Sequence, residues 1–282
     1  MHFGLFGINI GPGAAGQSAV RIAQAAEGAG FESVWTGEHV VLPDPQAAPS
    51  PLPPQTPILD PAVTLAALAI ATTHLRLGTG IIILPQRNPL VLAKELASVD
   101  VLSNGRLLFG LGIGYLKAEF DALGAPFADK GARAVEYLEA MLALWTAEQP
   151  VFDGRFVAFR GIDAQPRPVQ RPHPPVIIGG STPAAFRRAA RHANGWYGFS
   201  LDLNETGECL AGLRRALGEV ARPPALGPLE ISVTPRGPLD LNSVRGFAEL
   251  GVHRLIPFWP HPTAEAVIER LQRFGDEVIA AF

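Results

Sequence analysis

Short apolar runs rich in β-branched and aromatic residues alternate along the whole chain with segments whose apolar residues recur every three or four positions. That alternation is the signature of repeated strand–helix units around a parallel sheet. Eight runs read as strands: HFGLFGINI from residue 2, SVWTGEHVV from 33, LRLGTGIIIL from 75, RLLFGLGIGY from 106, PPVIIGGS from 174, GWYGFS from 195, LEISVTPR from 229 and VHRLIPFW from 252. Between them lie helical faces such as Ala19, Ile22, Ala23 and Ala26, or Val135, Leu138, Leu142 and Trp145. Eight such pairs predict a closed (β/α)8 TIM barrel. The helix ends agree: Gly28 and Gly30 stand where the first helix should stop, Thr182 and Pro183 fit the start of another, and Thr263 precedes the last, whose apolar face is Ile268, Leu271, Phe274 and Val278.

Two segments exceed a minimal barrel. Residues 43–61, dense in proline, cannot form a regular element but are stiff enough to make an ordered lid or wall. Residues 150–175 contain an Asp-Gly turn flanked by strand-like alternation, which predicts a small hairpin ahead of the fifth barrel strand. Both read as insertions on a single barrel domain spanning 1–282.

Composition narrows the function. With 48% hydrophobic and 17% charged residues the chain can bury a full core, and its net charge of −3, without any Lys/Arg run, gives no basic surface for nucleic acid. The amino terminus lacks the features of a secretory signal and reads as a first strand, while the most apolar helix, AVTLAALAIA, is about half the length a bilayer requires. A cytoplasmic protein without membrane attachment is expected. Cys209 has no second thiol to pair with and reads as a small packing residue.

Barrel enzymes carry their chemistry at the carboxyl ends of the strands. That rule selects Asn9, Glu38, His39, the Thr79–Ile82 segment, Gly112, Gly114, Tyr115, the Gly179–Thr182 segment, Arg236 and Trp259. No HxH, HExxH or carboxylate–histidine cluster has metal-ligand spacing, so no metal site is expected. Glu38 is the only acid at a strand end; Glu119 lies on a short helix where a capping or surface role is expected, so no pair of acids suggests a glycosidase. Glycines at three strand ends, in GTG, GLGIG and IIGGS, leave room for a flat ligand against backbone. Thr182–Pro183 opens a helix whose first turn carries no acid, leaving free N–H groups and the positive end of the helix dipole for an external anion such as phosphate, or else for water. His39, at a strand end, is placed for proton transfer near neutral pH, although a structural histidine is the competing reading.

Three segments, GFESVWTGEHV, the run from LRLGTGIIILPQRNP through GLGIGYLKAEFDALG, and RPVQRPHPPVIIGGSTPAAFRRAARHANGW, together resemble the luciferase-like flavin and deazaflavin family, and within it the branch of F420-dependent oxidoreductases. The resemblance implies a (β/α)8 barrel with an insertion, often homodimeric, holding coenzyme F420 or alternatively FMN across the carboxyl end. It implies that Thr79, Gly80 and Ile81 contact the cofactor, with a non-proline cis peptide at Gly80–Ile81 that places Ile81 beneath one face of the ring. It implies that Glu38 and His39 form the family's acid–histidine pair beside the ring, that Gly112, Ile113, Gly114 and Tyr115 lie near it, and that Gly179, Gly180 and Ser181 hold the phosphate. Tyr115 departs from the sugar-phosphate dehydrogenase relatives, which have a glutamate there, so sugar oxidation is not expected.

The resulting expectation is an enzyme that passes a hydride between F420 and a small organic substrate, with His39 assisting proton transfer. The substrate pocket would be walled by the proline-rich loop with Trp35, Tyr115 and Trp259. The alternatives are a monooxygenase that combines oxygen with reduced FMN from a separate reductase, and a flavin- or deazaflavin-binding protein without turnover.

Overall fold

The computed structural model describes residues 1–282. In chain order its strands are β1 (His2–Phe6), β2 (Ser33–Thr36), β3 (Arg76–Thr79), β4 (Ile82–Ile83), β5 (Leu107–Gly112), β6 (Phe152–Asp153), β7 (Ala158–Phe159), β8 (Val176–Gly179), β9 (Gly195–Leu201), β10 (Glu230–Pro235) and β11 (Arg254–Leu255). The helices are α1 (Ser18–Gly28), α2 (Pro61–Ala71), α3 (Pro89–Leu102), α4 (Lys117–Ala122), α5 (Lys130–Thr146), α6 (Pro183–His192), α7 (Leu203–Glu219), α8 (Leu241–Glu249) and α9 (Ala264–Glu277). The parallel sheet runs β3-β2-β1-β11-β10-β9-β8-β5, and a further β3–β5 pairing closes it into a ring. β4 continues the third barrel strand after a break, pairing Ile82 with Leu111 and Ile83 with Gly112. The closed parallel ring with its outer helices is a (β/α)8 barrel. β6 and β7 form an antiparallel hairpin ahead of β8.

Residue alternation along the strands divides the interior. A cluster of 55 buried residues fills the space between sheet and helices, whereas Phe6, Trp35, Leu108, Ile177, Tyr197 and Ile256 fill the bore. Along β2 Val34 points outward and Trp35 inward, the period of two expected of a strand. Trp35 is too large for that bore unless its neighbours are small. A Cβ on Gly78 would stand 2.3 Å from the indole, so the glycine that weakens β3 as a strand creates the space the tryptophan fills. Burial raises the pKa of the Tyr197 phenol, and its hydroxyl is satisfied by donating to Thr234 Oγ1 at 2.6 Å, since Thr234 itself donates to Ile256 O.

The amino-terminal end of the bore is closed by charge. Arg254 is 1% exposed, forks onto both oxygens of Glu32 at 2.9 and 3.0 Å, bonds Glu230, and sits 5.7 Å from the Trp35 ring. With this end plugged and Trp35 filling the middle, the carboxyl-terminal end is left for ligands. Trp35, expected in the pocket wall, is 0% exposed and belongs to the packed bore. Trp259, also expected in the wall, packs on Phe31 and Phe274 and lines an apolar recess together with Leu52 and Thr56 of the proline-rich loop. No helix is long and apolar enough to cross a membrane. Cys209 is buried on α7.

Gly110 shows how closely the third and fourth barrel strands approach. A Cβ there would lie 1.8 Å from Thr79 O, and backbone cannot yield as a side-chain tip can. Gly110→Ala is therefore expected to destabilise the fold by at least about 1–3 kcal/mol, read as a lower urea midpoint at unchanged slope.

Candidate active site

The loops following β1 and β2 are joined by Asn9, whose side chain is fully buried against backbone. It accepts from Gly37 N and donates to Gly37 O, both at 2.9 Å, and donates to Leu59 O at 2.6 Å. Leu59 N returns a bond to Asn9 O at 3.0 Å, which fixes the end of the proline-rich loop against the barrel rim. Leu52 and Thr56 of that loop, with Phe6, Ile8, Ile10 and Phe258, line an apolar recess of about 180 Å³ beside the mouth. A larger, open concavity of about 640 Å³, lined by Asp163, Arg167 and Arg171, lies on the loops leading into β5 and β8, away from the mouth.

The Gly80–Ile81 peptide between β3 and β4 is cis. Gly80 N donates to Thr36 O at 2.7 Å, and Ile81 turns its side chain over the top of the bore, against the cluster that fills it. A Cβ on Gly112 would be 2.2 Å from Ile81 Cδ1, and one on Gly179 2.8 Å. The glycines of the fourth and fifth barrel strands thus make room for the isoleucine, and Ile81 in turn forms an apolar floor at the mouth. Thr79, expected to contact the ring, is fully buried, and its hydroxyl both donates to Gly110 O at 2.6 Å and accepts from Gly110 N at 2.8 Å. It props the break in the strand and has no polar atom left for a ligand.

Glu38 is placed otherwise than expected. Its side chain is 1% exposed; Oε2 accepts from Ile83 N, and Oε1 accepts from the Arg87 guanidinium, whose Nε lies at 2.9 Å. Arg87 also reaches Asp60 Oδ2 at 2.8 Å, the same Asp60 whose other oxygen caps α2. Burial alone disfavours the Arg87 charge, yet the two carboxylates around it raise its pKa. Both oxygens of Glu38 are thus engaged in holding β4 and Arg87, and the side chain is shut off from solvent.

His39, the next residue, is engaged quite differently. Its Nδ1 lies 3.0 Å from Glu119 Oε2, and Glu119 Oε1 accepts from Val40 N at 2.6 Å. Glu119 is not on the surface, as its sequence context suggested: α4 turns it inward until its side chain is 0% exposed. Burial works against its charge but is outweighed by His39 and the Val40 N–H, so its pKa is lowered. An ionised Glu119 can only accept, so the proton of this bond sits on Nδ1, and in the neutral imidazole Nε2 is then the acceptor. Tyr115 Oη stands 3.4 Å from that Nε2. Gly114 makes the turn that presents Tyr115, with φ at +71°.

Stability should register the Glu119 carboxylate. Because its folded pKa lies below the unfolded value, it contributes stability that is present above the unfolded pKa and lost as pH falls through the folded one. Glu119→Gln should flatten the acid limb of the pH–stability curve below about pH 4.5, measured by urea unfolding at several pH values.

Beside β5, β8 ends at Gly179 and the backbone turns through Gly180, at φ +118°, into α6. Trp196 Nε1 donates to Gly180 O at 2.8 Å and fixes that turn. Thr182 caps α6 by accepting from Ala185 N at 3.2 Å; Gly180, Ser181 and Thr182 are exposed, and the first turn carries no acid. Ile113 and Gly114 are half-buried between this end and Tyr115. The structure thus brings His39, Tyr115, Ile81, Gly112–Gly114 and Gly179–Ser181 to one end of the barrel. It holds Glu38 and Thr79 beneath them as supports. Glu119 and Arg87 were missed; the only trace of Glu119 was an acid one helical turn after Tyr115 in a largely apolar stretch.

A closed parallel barrel with this mouth is the scaffold of a (β/α)8 oxidoreductase. The chain belongs to the luciferase-like monooxygenase family, whose model matches residues 1–243; members of the family are oxidoreductases and monooxygenases. An uncharacterized protein of Mycobacterium tuberculosis is 33% identical over 285 residues, covering 96% of this chain and 97% of its own. An FMNH2-dependent dimethylsulfone monooxygenase from Pseudomonas putida is 35% identical over 140 residues, 48% of this chain and 38% of its own. Among solved structures, a coenzyme F420-dependent tetrahydromethanopterin reductase from Methanopyrus kandleri superposes with a TM-score of 0.77 at 18% identity, covering 100% of this chain and 99% of its own, a likeness of fold.

Proposed function

We propose that this protein is an F420-dependent oxidoreductase that moves a hydride between the deazaflavin and a small organic substrate. The observation that carries this reading is the His39–Glu119 pair opening onto the mouth beside the Ile81 floor. Hydride exchange with an organic substrate is accompanied by movement of a proton, and a histidine with one nitrogen anchored by a buried carboxylate is suited to moving it.

The residues present fit such a cofactor. Ile81 offers an apolar surface for a flat ring, Gly112–Gly114 offer backbone without side-chain bulk, and Gly180–Thr182 at the start of α6 offer an acid-free helix terminus to a phosphate. Bound there, the deazaflavin would supply the two-electron hydride chemistry. The chain's own part is to orient, to exclude water with the proline-rich loop, and to hold a proton at His39, while Glu38 and Arg87 keep β4 in place. The apolar recess beside Phe6 and Phe258 suits a mostly hydrophobic substrate.

A homodimer belongs to the same reading. Helix α2 is apolar all round, yet Val63 and Ile70 are 70% and 71% exposed on its outer face, a surface that a second copy would cover.

The second reading is a monooxygenase using reduced FMN from a partner reductase, favoured by the similarity to the dimethylsulfone enzyme. Equilibrium titration with F420 and with FMN, each in both redox states, separates the two. The first reading expects F420 to bind the more tightly; preference for FMN would support the second, and binding without turnover of any substrate would indicate a carrier protein.

A further inference from the structure

Resting on the reading of this mouth as a hydride-transfer site, we propose that Tyr115 is the catalytic residue that exchanges the proton with substrate, His39 being the relay behind it, and that the substrate is an alcohol–ketone pair. Three groups lie in line: Glu119, with its side chain 0% exposed, His39, at 10%, and Tyr115, a residue 47% exposed. A ligand entering from solvent meets the phenol first. His39 Nδ1 is held by Glu119, so Nε2 is the only ring nitrogen able to accept, and the Tyr115 O–H is the donor beside it at 3.4 Å, a distance of the kind that tightens when a ligand closes the site. The rings meet edge to face with centroids 5.9 Å apart, which holds the phenol over the imidazole edge.

The chemistry of the phenol suits such a substrate. Burial, and then the charge of Glu119, raise the pKa of Tyr115, making it a weak acid. Such a group can protonate the strongly basic oxygen that forms as a ketone is reduced. In the oxidative direction the carbinol C–H bond breaks, its electron pair and hydrogen leave as hydride to the oxidised deazaflavin, and the C=O bond forms. The substrate's hydroxyl proton passes to Tyr115 Oη while the proton of Tyr115 passes to His39 Nε2. His39 is then an imidazolium beside the Glu119 carboxylate and loses the extra proton to solvent.

The test uses the full chain as wild type and as Tyr115→Phe, with F420 and a panel of short secondary alcohols and ketones as probes. Tyr115→Phe is expected to lower kcat about a hundredfold or more while the F420 dissociation constant stays within about twofold. The His39 Nε2 resonance in imidazole nitrogen NMR should shift as its hydrogen-bond donor is lost. Wild-type turnover in Tyr115→Phe would overturn the proposal. So would a parallel loss of F420 affinity, which would make Tyr115 a wall of the cofactor site. F420 binding by the wild type without turnover of any alcohol or ketone would overturn the substrate assignment and leave the cofactor reading standing, whereas no F420 binding at all would remove the reading on which the proposal rests.

Discussion

Arg87→Ala is expected to destabilise the protein by about 3–5 kcal/mol, because it leaves the Glu38 carboxylate buried without its counter-ion. The Glu38 side chain is 1% exposed and would retain only the Ile83 N–H. Moving an unpaired charge out of water costs far more than the net worth of the pair, so removing one partner should cost more than removing both. Arg87→Ala combined with Glu38→Leu should accordingly recover much of the loss, a non-additivity that a double-mutant cycle reads directly. The single variant should also respond to pH in a distinctive way. With Arg87 gone, the folded pKa of Glu38 rises further above its unfolded value, so the variant gains stability as pH falls and loses it as pH rises. Urea midpoints across the mildly acidic range measure both effects. A loss below about 1 kcal/mol would mean that the pair does not hold β4.

His39→Ala is expected to lower kcat by about two to four orders of magnitude while leaving the fold and the affinity for F420 nearly unchanged. The imidazole touches Glu119 and Tyr115 but fills none of the bore, so its removal should not disturb the Ile81 floor. The variant should be felt at Glu119, whose buried carboxylate would keep only the Val40 N–H. Turnover at the wild-type rate would take proton transfer away from His39.

The barrel was legible in the sequence because each strand announces itself locally, by β-branched and aromatic runs ended by glycine or proline. All eight expected strands are present, but most are shorter than their apolar runs: the first run extends to Ile10 and its strand stops at Phe6, and the second extends to Val41 while its strand stops at Thr36. The surplus residues, among them Asn9, Glu38 and His39, belong to the rim, where they bond to loops instead of to a neighbouring strand. The third run is broken at Gly80–Ile81, a break that periodicity alone does not reveal and that the family resemblance implied.

The site was legible where position within a strand decides geometry and illegible where partners come from distant loops. Ile81, Gly112, Tyr115 and Gly179–Ser181 lie at one end because parallel strands point their carboxyl ends the same way. Whether an acid there is free or committed depends on what reaches it. Glu38 is engaged by Arg87, 49 positions away, and His39 by Glu119, 80 positions away. Of two acids near the mouth, the one in the conspicuous motif is locked into the scaffold, and the one on the inconspicuous helix faces the histidine.

Whether a flat redox cofactor lies across the barrel mouth on Ile81 is decided by a crystal structure of the protein with F420. The ring is expected over Ile81, flanked by His39 and the Gly112–Tyr115 backbone, with the phosphate at Gly180–Thr182. Density for the cofactor elsewhere, or a saturated crystal with only water over Ile81, would contradict it.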